Sequence, residues 1–101
     1  MAYQLIYEQV WAMDLYLEQP ITINSQGEVG MRFLAVPQIK ELIDMGYKPV
    51  LSKRHDFQSQ NIIFTINFEV PDEVRTFMLL KYPNPVSDVN FEDMITIIER
   101  T

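Results

Sequence analysis

One phrase occurs twice in this chain, and it constrains the fold more than any other feature. Residues 31–49 read MRFLAVPQIKELIDMGYKP, and residues 65–83 read TINFEVPDEVRTFMLLKYP. Each copy runs from an apolar, strand-like stretch through Val-Pro into an amphipathic segment that ends at Tyr and Pro, with one residue of slippage. Proline at a first helical position loses nothing, because that N–H has no intrahelical partner. The phrase therefore predicts two strand–helix units, with helices over residues 37–46 and 71–81.

The second copy carries the clearest strand. Ile62, Phe64, Ile66, Phe68 and Val70 alternate with Ile63, Thr65, Asn67 and Glu69. Such a period of two places the first set on one face of a half-buried strand. Pro71 starts the helix that follows, with Asp72 and Glu73 at its positive end and Lys81 at its negative end. Val74, Phe77 and Met78 are its expected buried stripe. In the first copy Val29, Met31, Phe33 and Ala35 read as a strand paired in a hairpin with residues 21–24, around the turn residues Asn24, Ser25 and Gly27. Ile39, Leu42, Ile43 and Tyr47 line one face of the helix after it, and Gly46 and Pro49 end it. Val50–Asp56 is polar and is expected as an exposed or edge strand.

Two segments are ambiguous. In residues 3–18 the odd positions Tyr3, Leu5, Tyr7, Trp11, Met13, Leu15 and Leu17 are apolar, with Gln9 the one break. The strand reading leaves fewer misfits than a helix, in which Tyr7, Trp11 and Leu15 would fall among polar residues. At the other end, Asn90 could cap a helix, whereas the β-branched run Ile95-Thr96-Ile97-Ile98 favours a strand. If that last segment is a strand, residues 28–100 read βαββαβ, the ferredoxin-like or split βαβ order. The expected architecture is a single two-layer α+β domain over residues 1–101, with 1–24 as an N-terminal extension that adds strands at an edge or a helix across one face.

Composition narrows the chemistry. The 101 residues, 48% of them hydrophobic, suffice for one modest core. There is no cysteine, so a disulfide scaffold, a thiolate metal site and a cysteine nucleophile are all excluded. One histidine does not make a zinc or iron site, and the adjacent acids Asp72-Glu73 and Glu92-Asp93 lack a ligand loop. Gly27 and Gly30 form a bare G-x-x-G without the Lys-Ser/Thr of a phosphate loop. No run reaches the ~20 apolar residues of a membrane span. No base precedes Arg32, which predicts no signal peptide and a cytoplasmic location.

The net charge of −6 is unevenly spread: −4 over residues 1–31, +3 over 32–55 and −5 over 56–101. Its sign opposes direct binding to nucleic acid and favours a partner with a basic face. An RNA-recognition sheet needs exposed rings, but Phe64 and Phe68 share their face with Ile62, Ile66 and Val70 and are expected in the core.

Two places carry candidate contact residues. Lys53-Arg54-His55-Asp56-Phe57 holds the sole histidine, but neighbours on a strand point to opposite faces, so His55 and Asp56 do not form a dyad there. In the N-terminal segment, rich in Tyr and Trp, Ile6, Val10, Ala12 and Tyr16 make an outward apolar face between Glu8, Asp14 and Glu18. The expected function is that of a small acidic, non-catalytic protein-binding or regulatory module. Its contacts with another protein or a second copy would come from Val10, Asp14, Tyr16 and Glu18 and from Lys53, Arg54 and His55. The alternatives are an inhibitor that mimics nucleic-acid charge to block a basic nucleic-acid-binding protein, and a small enzyme using His55. No cofactor is implied.

Overall fold

The computed structural model describes residues 2–12, 27–84, 86–90 and 95–100, apart from the side chains of Glu28 and of 87–90. In chain order the elements are β1 (Ala2–Ala12), α1 (Glu28–Leu34), α2 (Pro37–Asp44), β2 (Val50–Asp56), β3 (Asn61–Pro71), α3 (Asp72–Lys81), β4 (Ser87–Asn90) and β5 (Ile95–Arg100). Ile62, Phe64, Ile66, Phe68 and Val70 of β3 are all buried, as the alternation requires. Directly opposite them on β1 stand Trp11, Gln9, Tyr7, Leu5 and Tyr3. The two strands thus share one inward face, which Ile95 and Ile97 of β5 extend. Val29, Phe33, Val36, Ile39, Leu42 and Met78 from the three helices join the same core. The result is a two-layer α+β arrangement, with the helices on one side of the sheet.

The strands lie in the order β2-β3-β1-β5-β4, and each neighbouring pair is antiparallel. It follows that β1 and β2 run parallel with β3 between them, and that β3 and β5 run parallel with β1 between them.

Residues 2–12 do not extend the sheet at its edge. They form the middle strand of five. The physical reason is that β1 has apolar residues on both faces: Leu5, Tyr7 and Trp11 on one, and half-buried Ile6, Val10 and Ala12 on the other. A strand of that kind loses least when it is flanked on both sides. By contrast β2, with exposed Ser52, Lys53, Arg54 and His55, suits an edge, where charge discourages further pairing. The last segment is a strand from Ile95, in keeping with its β-branched residues.

The strand expected over 28–36 is a helix. Val29, Phe33 and Val36 are buried while Met31 and Ala35 are exposed, which is the spacing of a helical stripe and not of alternation. The ferredoxin-like unit expected over 28–100 therefore lacks its first strand within that range. The other half of the hairpin, 21–24, lies outside the described residues. α1 ends in a tight turn, with Ala35 N donating to Met31 O (3.0 Å) and Val36 N to Phe33 O (3.0 Å), and Pro37 then opens α2. Gly46, at φ +96, turns the chain after α2.

α3 forms as expected, but its buried stripe differs. Met78 is buried and Val74 half-buried, whereas Phe77 is 41% exposed. The stripe follows Val74, Met78 and Tyr82 at i, i+4 spacing, which turns Phe77 outward. α2 and α3 are tied by Glu41: its Oε1 takes the Lys81 ammonium at 2.7 Å, and Tyr82 Oη donates to Oε2 at 2.5 Å. No helix of the described residues is long and apolar enough to cross a membrane.

Candidate functional site

Because odd positions of β1 face the helices, the even ones face away, together with Ile63, Thr65 and Asn67 of β3, Arg54 of β2 and Thr96, Ile98 and Arg100 of β5. No described helix covers this second face. Glu8 sits at its centre, opposite Thr65 on one side and Ile98 on the other, and is only 7% exposed. A buried carboxylate is costly unless it is paired. Arg100 Nε donates to Glu8 Oε1 at 2.6 Å. From the far side of β3, Arg54 Nη2 reaches Glu8 Oε2 at 3.6 Å. Both arginine side chains remain about three-fifths exposed (59% and 61%), so their stems lie along the sheet while their heads are wet. Beside this group Asn67 donates to Gln4 Oε1, while Asn67 Oδ1 is buried without a hydrogen-bond partner among the described residues.

Of the residues singled out in the sequence, Val10 and Arg54 fall on this face. Val10 is half-buried between Ile63 and Thr96. Asp14, Tyr16 and Glu18 lie outside the described residues. Lys53 and His55 have the opposite parity, level with Phe64 and Ile62, and are exposed on the helix side of the β2 edge. The His55 ring stacks on Phe57 at 5.9 Å and 15°. Asp56 serves the turn: its Oδ1 accepts from Gln58 N (3.1 Å) and Ser59 N (3.4 Å). Hydrogen bonds from the Ser59 hydroxyl, and then from these backbone groups, hold the Asp56 carboxyl below its ordinary value. The sequence neighbours His55 and Asp56 thus face opposite sides of the sheet.

Glu8 and Arg100 were not paired by sequence reasoning. The available signal was an acid at an even position of β1 between apolar Ile6 and Val10, which calls for a cation across the strands. Which cation depends on register, and register joins residues 92 positions apart.

Charge is redistributed in the same way. The five bases of residues 32–55 do not act as one group. Arg32 lies over the Trp11 ring at 5.7 Å, Lys40 pairs with Asp44 at 3.3 Å, and Arg54 pairs with Glu8. All eight bases, and eight of the fourteen acids, have described side chains. The excess of six comes from Asp14, Glu18, Glu28, Asp88, Glu92 and Asp93, whose side chains are not described. The spacing that a charge mimic would require therefore lies outside the described residues. Phe64 and Phe68, at 0% exposure, are not placed to stack on bases. Among the described residues, no group of three or more His, Asp or Glu could hold a metal ion. Comparison with protein-family models, with curated proteins and with solved structures finds no match to this chain.

Proposed function

We propose that this chain is a non-catalytic protein-binding module whose contact surface is the helix-free face of the sheet. The observation that carries the reading is the central group on that face. Glu8 is neutralised by arginines from both sides, and half-buried Ile6, Val10 and Ala12 line its strand. With its central charge satisfied, the patch offers a partner apolar area and two wet guanidinium heads without a buried unpaired charge. The partner is a protein with an apolar centre, and the net charge of −6 favours one that is basic overall. In the same reading β2, β3, β1 and β5 are a ferredoxin-like arrangement, in which residues 2–12 take the place expected for 28–36. Its support is the interleaving of the two parallel strand pairs.

The test compares the wild type with Val10→Lys and Val10→Thr in capture of partners from the source cell at low and high salt, with light scattering for self-association. Val10→Lys is expected to lose the captured partner or the dimer while keeping the wild-type circular dichroism, and Val10→Thr to retain it. High salt should weaken but not abolish capture, since salt screens the overall charge attraction and leaves the apolar contact in place. His55→Ala should bind as wild type. Capture unaffected by Val10→Lys, in a protein shown to be folded, removes this face as the contact surface.

A further inference from the structure

A second place in the molecule has the features of a small-molecule site. On the helix side of the sheet, between α3 and the paired ends of β1 and β5, lies a cleft of about 460 Å³, within the size range of ligand pockets. Its walls are mostly apolar, with Leu5, Met78 and the Tyr82 ring among them.

Three polar side chains, Tyr7, Glu99 and Arg75, stand on these walls. Tyr7 and Glu99 are direct partners across β1 and β5, so their side chains stand together on the cleft face. Tyr7 is 1% exposed, and the Glu99 carboxylate and Tyr82 are its charged and polar neighbours. Burial, with the Glu99 carboxylate and then Tyr82 beside it, pushes the Tyr7 hydroxyl far above its ordinary pKa, so it is a neutral donor throughout the working pH range. Glu99 is oriented from behind: its Oε2 accepts from Val86 N at 3.1 Å, which leaves Oε1 for another donor. Arg75, on the opposite wall, stacks its guanidinium over the Tyr3 ring at 4.6 Å and forms no ion pair with a described residue.

We propose that this cleft binds a small zwitterion with an apolar body, a free aromatic or aliphatic amino acid or a short peptide. The ammonium meets Glu99, the carboxylate meets Arg75, the Tyr7 hydroxyl donates to a ligand oxygen, and the side chain lies against Met78 and Tyr82. This site is on the opposite side of the sheet from the protein-binding face and does not depend on it.

The experiment is a titration of the ¹⁵N-labelled full chain, followed by amide shifts, with L-phenylalanine, L-leucine and L-phenylalanyl-L-leucine. N-acetyl-L-phenylalanine, which lacks the ammonium, and L-phenylalanine methyl ester, which lacks the carboxylate, are the controls. The expected result is a saturable shift at residues 3–7, 75–82 and 99, with both capped forms about tenfold weaker or worse, as one lost charged contact implies. Tighter binding of the single amino acids assigns the free amino acid, and tighter binding of the dipeptide assigns a peptide end. Glu99→Gln and Arg75→Met should each weaken binding by a similar factor. Should either variant fail to fold, the capped ligands still decide the matter on the wild type. Absence of saturable shifts for every zwitterion, equal binding of the capped forms, or shifts mapping elsewhere would overturn the proposal.

Discussion

Gln9 is the one polar break in the inward face of β1, and its side chain explains why the break is tolerated. Fully buried, it donates to Val29 O at 3.1 Å and accepts from the Trp11 indole N–H at 2.6 Å. It thereby satisfies the indole N–H, which would otherwise be orphaned under α1, and gives a second donor to a carbonyl of the first helical turn. Gln9→Leu would extend the apolar alternation and fit the sequence pattern better. It should nevertheless destabilise the protein by about 1 kcal/mol, because the unpaired indole N–H, at roughly 1–3 kcal/mol, outweighs the added apolar burial. Urea unfolding followed by the single tryptophan would measure this, and a more stable Gln9→Leu protein would refute the account. Gln60 presents the opposite situation: it holds φ +57 in the β2–β3 turn, a backbone region that glycine enters more easily. Gln60→Gly should raise stability by up to about 1 kcal/mol in the same assay.

Among the elements, the tie between α2 and α3 gives the molecule a pH dependence of definite sign. Hydrogen bonds to Glu41, from Lys81 first and Tyr82 second, hold its carboxyl below the ordinary value. On acidification the unfolded chain therefore takes up the proton first. The stabilisation is complete above about pH 4.3 and is lost as pH falls through the lower folded value. At the alkaline end the Glu41 hydrogen bond raises both Lys81 and Tyr82. Their contribution is present below their ordinary values and is lost as pH climbs through the folded ones. Glu41→Gln should flatten the dependence of melting temperature on pH at both ends. A profile parallel to that of the wild type would show that the tie makes no difference to stability. α2 and α3 were legible because a proline after a strand-like run marks each start, Pro37 as the first residue of α2 and Pro71 as the cap of α3. α1 was not, since Val29, Met31, Phe33 and Ala35 satisfy alternation as well as Val29, Phe33 and Val36 satisfy a helical stripe. Only burial separates the two readings.

For the whole molecule, the central place of β1 sets the order of stability. β1 is bonded along both edges, to β3 and β5, whereas β2 and β4 are each bonded along one. Amide hydrogen exchange should therefore be slowest in β1 and β3 and faster in β2 and β4. A chain lacking residues 1–12 should fail to fold, because its loss divides the sheet and removes Leu5, Tyr7 and Trp11 from the core. A truncated chain with a native-like spectrum would contradict this. The alternation of β3, the parity of β1, the edge character of β2 and the starts of α2 and α3 could all be read from the sequence, because periods of two and 3.6 are local properties. The central position of residues 2–12, the helix at 28–34, the pairing of Glu8 with Arg54 and Arg100 and the cleft beside Tyr7 and Glu99 were decided by tertiary structure. Each depends on which distant strand lies alongside and in what register, and that choice follows from the joint burial of two faces, which no single segment encodes.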